Sequence, residues 1–70
     1  MRIRLSDPAQ LHELRSALRA ADLATVQIAD DTLVVLHPFA LNDAEARVEI
    51  TFFVKAWLAS RPDVDVDLAA

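Results

Sequence analysis

A chain of 70 residues and 7.7 kDa is expected to form one domain, and a domain this small removes only about 60% of its unfolded surface from water on folding. Eleven acidic residues against seven basic ones give a net charge of -4, which repels a phosphate backbone and argues against nucleic acid as a partner. Cysteine and glycine are both absent, so disulfides, thiolate metal sites, thiol catalysis and glycine-dependent phosphate loops are excluded together.

The first strand is Arg2 to Leu5, where Ile3 and Leu5 alternate with Arg2 and Arg4 at the period of a sheet with one apolar face. This start contains no apolar run of leader-peptide length, and no segment approaches the ~20 apolar residues needed to cross a bilayer. A cytoplasmic protein without membrane contact is therefore expected. Asp7-Pro8-Ala9-Gln10 then opens a helix. Asp7 has the chemistry of an N-cap, Pro8 has the φ of a first helical residue, and Gln10 has the position to complete a capping box. Leu11, Leu14, Leu18 and Ala21 form its buried stripe, Glu13, Ser16 and Arg19 point away, and the helix should end near Asp22.

A hairpin follows. Ala24, Val26 and Ile28 alternate with Thr25 and Gln27, Asp30-Asp31 interrupts, and Leu33, Val35 and His37 then alternate with Val34 and Leu36. Without glycine for a type I′ turn, a four-residue loop on a type I turn competes with a two-residue loop. Either length places Ile28 opposite Leu33 and Val26 opposite Val35 on the core face, leaving Thr25 and Gln27 to share the outer face with Val34 and Leu36. Pro38 ends the strand.

Asn42, with Glu45 three residues later, opens a second helix that can run to about Ser60 before Pro62. Ala46, Ile50, Phe53, Val54 and Trp57 cluster on its core side. On the opposite side stand Val48, Phe52, Ala56 and Ala59, with only Glu45, Glu49 and Lys55 as polar cover. Val64, Val66 and Leu68 finally alternate with Asp63, Asp65 and Asp67, a strand with an acidic outer row. The order strand, helix, strand, strand, helix, strand predicts a ferredoxin-like α+β two-layer sandwich. Its antiparallel four-stranded sheet has the order 4-1-3-2 with both helices on one face, so Arg2 and Arg4 should lie across from Asp65 and Asp67.

Such an architecture leaves one sheet face without helices. Val34 and Leu36 on that face, and Val48 and Phe52 on the outside of the second helix, are the candidate interface residues for a second copy or a partner protein. The competing reading is ordinary surface for the two aliphatics, and a helix phase off by ~40°, or Phe52 folded over Leu58, for the helix pair. Asp63, Asp65 and Asp67 imitate the start of an EF-hand loop, but Leu68 replaces its required glycine, so no metal is expected. His12 and His37 should sit at opposite ends of the sheet, too far apart to share an ion. His12, Arg15 and Arg19 form a basic stripe on the first helix that suits a carboxylate or phosphate, or acids such as Glu45 and Glu49. Ser6, Ser16 and Ser60 fit caps or surface, and no acid, base and nucleophile come together, so neither catalysis nor a cofactor is expected.

In length and topology the chain resembles small ligand-binding regulatory domains of the ACT type across nearly its whole extent, although Ser6-Asp7-Pro8 replaces the glycine-containing first turn often used there for amino-acid binding. That resemblance implies a sensor of amino acids or anionic metabolites, with a groove between the first helix and the hairpin end. The same element order is similar to that of RNA-recognition domains, yet Arg4, Val34 and Leu36 stand where those domains carry base-stacking aromatics. The leading expectation is a non-catalytic module that self-associates or docks on a partner protein, with small-ligand sensing as the alternative.

Overall fold

The computed structural model describes residues 1–69. Its elements are β1 (Arg2–Leu5), α1 (Leu11–Ala20), β2 (Ala24–Ala29), β3 (Thr32–Leu36), α2 (Asp43–Leu58) and β4 (Val66–Ala69), with a short 3₁₀ turn over Pro8–Gln10 ahead of α1. The four strands form one antiparallel sheet in the order β2-β3-β1-β4, the ferredoxin-like arrangement expected from the sequence.

Local chemistry explains the helix ends. Asp7 Oδ1 accepts from the Ala9 N–H at 3.1 Å, but the capping box does not close and the Gln10 side-chain oxygen is buried without a partner. At the other end of α1, Asp22 takes φ 63° in a chain that has no glycine to offer. The Leu23 N–H donates to the Leu18 carbonyl at 3.0 Å and the Asp22 N–H to that of Arg19 at 3.1 Å, a complete Schellman motif with buried Leu18 and Leu23 as its apolar clasp. Asn42 caps α2, its Oδ1 accepting from the Glu45 N–H at 2.8 Å, and Asp43 and Glu45 against Lys55 complement the helix dipole.

The core is aliphatic. Ile3 and Leu5 of β1, Leu11, Leu14 and Leu18 of α1, Leu33 and Val35 of β3, Ile50 and Val54 of α2, and the flanking Leu23 and Val64 are all buried. Phe53 and Trp57 pack against this cluster only in part. Arg61 closes the far end of α2: its guanidinium lies 4.0 Å from the Trp57 ring, its Nη1 donates to the Trp57 carbonyl at 2.9 Å, and its Nη2 lies 3.5 Å from Glu13 on α1.

Two expectations about the sheet need correction. The first concerns β2. The hairpin does close through the two residues Asp30-Asp31, with Ala29 opposite Thr32, but Gln27 pairs with Leu33, Val26 with Val34, Thr25 with Val35 and Ala24 with Leu36. An irregularity between Gln27 and Ala29 inserts one extra residue, Ile28, and slips the rest of the strand by one. Asp22 is the one non-glycine residue with positive φ among those described, so Asp30 and Asp31 form neither of the primed turns whose twist suits a hairpin. A bulge restores the missing right-handed twist, and the Gln27 side chain braces it by donating to the Ala29 carbonyl at 3.0 Å. Thr25 consequently faces the helices, where its Oγ1 accepts from Arg15 Nε at 3.2 Å, and Val26 faces away from them.

The second correction concerns β4. The ladder is antiparallel as expected, but it sets Arg4 opposite Asp67 and Arg2 opposite Ala69, two residues along from the register that would place Arg2 against Asp67 and Arg4 against Asp65. Asp65 precedes the strand and is tied to Ser6 instead. The Ser6 N–H donates to the Asp65 carbonyl at 2.9 Å, and Ser6 Oγ accepts from the Asp65 N–H at 2.8 Å. The ion partner of Arg4 is Asp31 in the hairpin turn, at 3.3 Å.

Candidate functional site

The uncovered sheet face divides into two halves. From β2 and β3 come Ala24, Val26, Ile28, Val34 and Leu36, and from β1 and β4 come Arg2, Arg4, Asp67 and Ala69. Val26, Ile28 and Leu36 remain 55%, 52% and 56% exposed, which makes three adjacent large aliphatics open to water where the sequence pattern singled out only Val34 and Leu36. Val34 itself is half-buried between Arg2 and Val26. The turn that precedes them is where the register departs: neither Asp30 nor Asp31 takes positive φ, and the bulge beside that turn places Val26 and Ile28 outward.

Charge on this face nearly cancels. Arg2 and Arg4 are set against Asp67 and the Asp31 that Arg4 contacts, so a region without strong net charge lies on an acidic molecule. Exposed pairs of this kind contribute about 0–1 kcal/mol, and their main effect is on register and partner choice.

The outer face of α2 carries the other expected pair: Val48 is 69% exposed and Phe52 76%. Together with Phe53, and with Ala21 and Leu23 at the end of α1, they line an apolar crevice of about 340 Å³ whose polar wall is His37 and Glu49. His37 Nε2 contacts Glu49 Oε2, while its Nδ1 is buried without a partner. Beside the crevice, the loop from β3 to α2 presents Phe39 and Leu41, 74% and 87% exposed, which sequence periodicity did not reveal because they belong to no helix or strand.

The basic stripe of α1 is dispersed in use. Arg15 is half-buried against Thr25, whereas His12 and Arg19 are exposed. Glu49, a suggested partner of the stripe, instead meets His37. A wider groove of about 650 Å³ lies at the N-terminal end of α2, between Leu36, His37 and Leu41 on one side and Arg47 and Ile50 on the other. Among the described residues no three His, Asp or Glu side chains are grouped to hold a metal, and no helix is long and apolar enough to cross a membrane.

No protein-family model matches the chain, and comparisons with curated proteins and with solved structures give no significant match.

Proposed function

We propose that this chain is a non-catalytic interaction module that associates with a second copy of itself through the uncovered sheet face. The observation that carries the reading is the adjacency of exposed Val26, Ile28 and Leu36 across two neighbouring strands. Fully burying an aliphatic side chain stabilises by roughly 1.5–3 kcal/mol, and about half of that is still unrealised at each of these positions.

A copy is favoured as occupant because the face is self-compatible. Its apolar half has no charge to desolvate, and its charged half carries both signs, so a two-fold related face meets no wall of like charge. Arg2, Arg4 and Asp67 then flank the apolar half along one side as a solvated border. Edge-to-edge pairing through β2 is disfavoured, since the bulge and the Gln27 bond to the Ala29 carbonyl blunt that edge.

Size sets the strength. Four strands of about five residues give a planar face of roughly 14 by 17 Å, well short of the ~800 Å² of accessible surface per partner typical of a stable complex. This face alone therefore supports weak, concentration-dependent association. Light scattering across a concentration series tests the reading: the mass average should rise from the monomer value at low concentration, and a constant monomer mass at high micromolar concentration would contradict it.

A further inference from the structure

We propose that the open edge of β4 binds an extended segment of another protein in which basic and aliphatic residues alternate. β4 closes the sheet on one side, and no strand of the described residues lies beyond it.

The main chain of this edge is free to pair. The bond from the Ser6 N–H to the Asp65 carbonyl fixes the parity of the ladder between β1 and β4, so the N–H and C=O groups of Asp67 and Ala69 turn toward β1 and those of Val66 and Leu68 turn outward. An added strand meets these outward groups by the same kind of hydrogen bond that joins β4 to β1. The two edges of the sheet differ in this respect. β2 is bulged and its Gln27 side chain occupies the Ala29 carbonyl, whereas the β4 ladder runs without a register shift and β4 holds no proline.

Side chains select the occupant. Asp63, Asp65 and Asp67 stand exposed at and just before this edge, and none of them takes part in an ion pair among the described residues; Arg4, opposite Asp67, contacts Asp31 instead. Val66 and Leu68 alternate with the aspartates and are half-buried against the core. A strand laid on the edge therefore needs positive charge beside the aspartates and aliphatic side chains beside Val66 and Leu68. The inner edge of β4 already pairs with that pattern, since Arg2-Ile3-Arg4-Leu5 of β1 alternates in the same way. A second copy does not supply it: its β1 is enclosed between β3 and β4, its β4 repeats the acids, and its β2 edge is blunted. The acids that keep two β4 edges apart thereby reserve the edge for a partner of opposite charge.

A peptide with the chain's own Met1–Ser6 sequence, capped at both ends, is the probe, titrated into the whole protein with amide hydrogen exchange followed by NMR. Binding should saturate, weaken with added salt and slow exchange several-fold at Val66 and Leu68. A peptide of the same composition with its two arginines adjacent should bind several-fold more weakly. Exchange unchanged at Val66 and Leu68, or equal binding of the two peptides, would overturn the proposal. Asp65→Lys combined with Asp67→Lys should abolish binding with an unchanged melting curve, and a peptide with glutamate in place of both arginines should bind that variant instead. Val26→Glu, which removes association through the sheet face, should leave peptide binding intact. Peptide binding lost with Val26→Glu and kept in the lysine variant would place the peptide on the sheet face and overturn the edge site.

Discussion

Val26 lies directly opposite Val34 on the neighbouring strand, and both point away from the helices. One inserted residue produces this pairing. Had the strand continued from the Ala29–Thr32 pair without a bulge, Val26 would have met Val35 inside the core and Thr25 would have faced water. The protein thereby leaves two large aliphatics outside and takes a threonine inside, an arrangement that is costly for an isolated domain and useful for one that is covered.

The inward Thr25 gives the first prediction. In a double-mutant cycle of Arg15→Ala and Thr25→Val, followed by urea unfolding, the two sites should be coupled by about 0.5–1.5 kcal/mol, the net worth of one hydrogen bond. Additive effects would place Thr25 on the outer face and return Val26 to the core.

Asp22 supplies the second. Its φ of 63° falls where a side chain is crowded and glycine is not. Asp22→Gly is expected to stabilise the fold by about 0.5–1 kcal/mol, and Asp22→Val to destabilise it by roughly 1–2 kcal/mol. Chemical denaturation of the two variants measures both, and equal stabilities would contradict the Schellman end of α1.

Asn42→Ala should cost about 0.5–2 kcal/mol by removing the one side-chain cap of α2, while Asn42→Asp or Asn42→Ser should retain most of it. In a domain expected to have only roughly 3–10 kcal/mol in total, that loss is visible as a lower melting temperature.

Arg61→Ala removes the cation–π contact with Trp57 and the bond to its carbonyl, and is expected to cost about 0.5–1 kcal/mol at this partly exposed site. Trp57 is the single tryptophan of the chain, so its fluorescence reports the change directly.

What the residues disclosed in advance follows from the range of the interactions involved. The alternation of Ile3 and Leu5, the Leu11/Leu14/Leu18 stripe and the Asn42 cap are local signals, and each element they imply is present. The exposure of Val48 and Phe52 was legible for the same reason, because helical phase is fixed by spacing. The register of β2 was not, since period two cannot register a single inserted residue. The β4 pairing failed at Asp65 through a longer-range event, its capture by Ser6 across the chain. The loop residues Phe39 and Leu41 have no period to read, and the crevice beside them exists only where α1 ends and α2 passes.

Sedimentation equilibrium of wild type and Val26→Glu at high micromolar concentration decides whether copies meet through the sheet face. The wild-type mass average should lie above the monomer, and a folded Val26→Glu protein should return to the monomer mass. An unfolded Val26→Glu chain would put that side chain in the core, and a folded one with the wild-type mass would show that the sheet face is not where the copies meet.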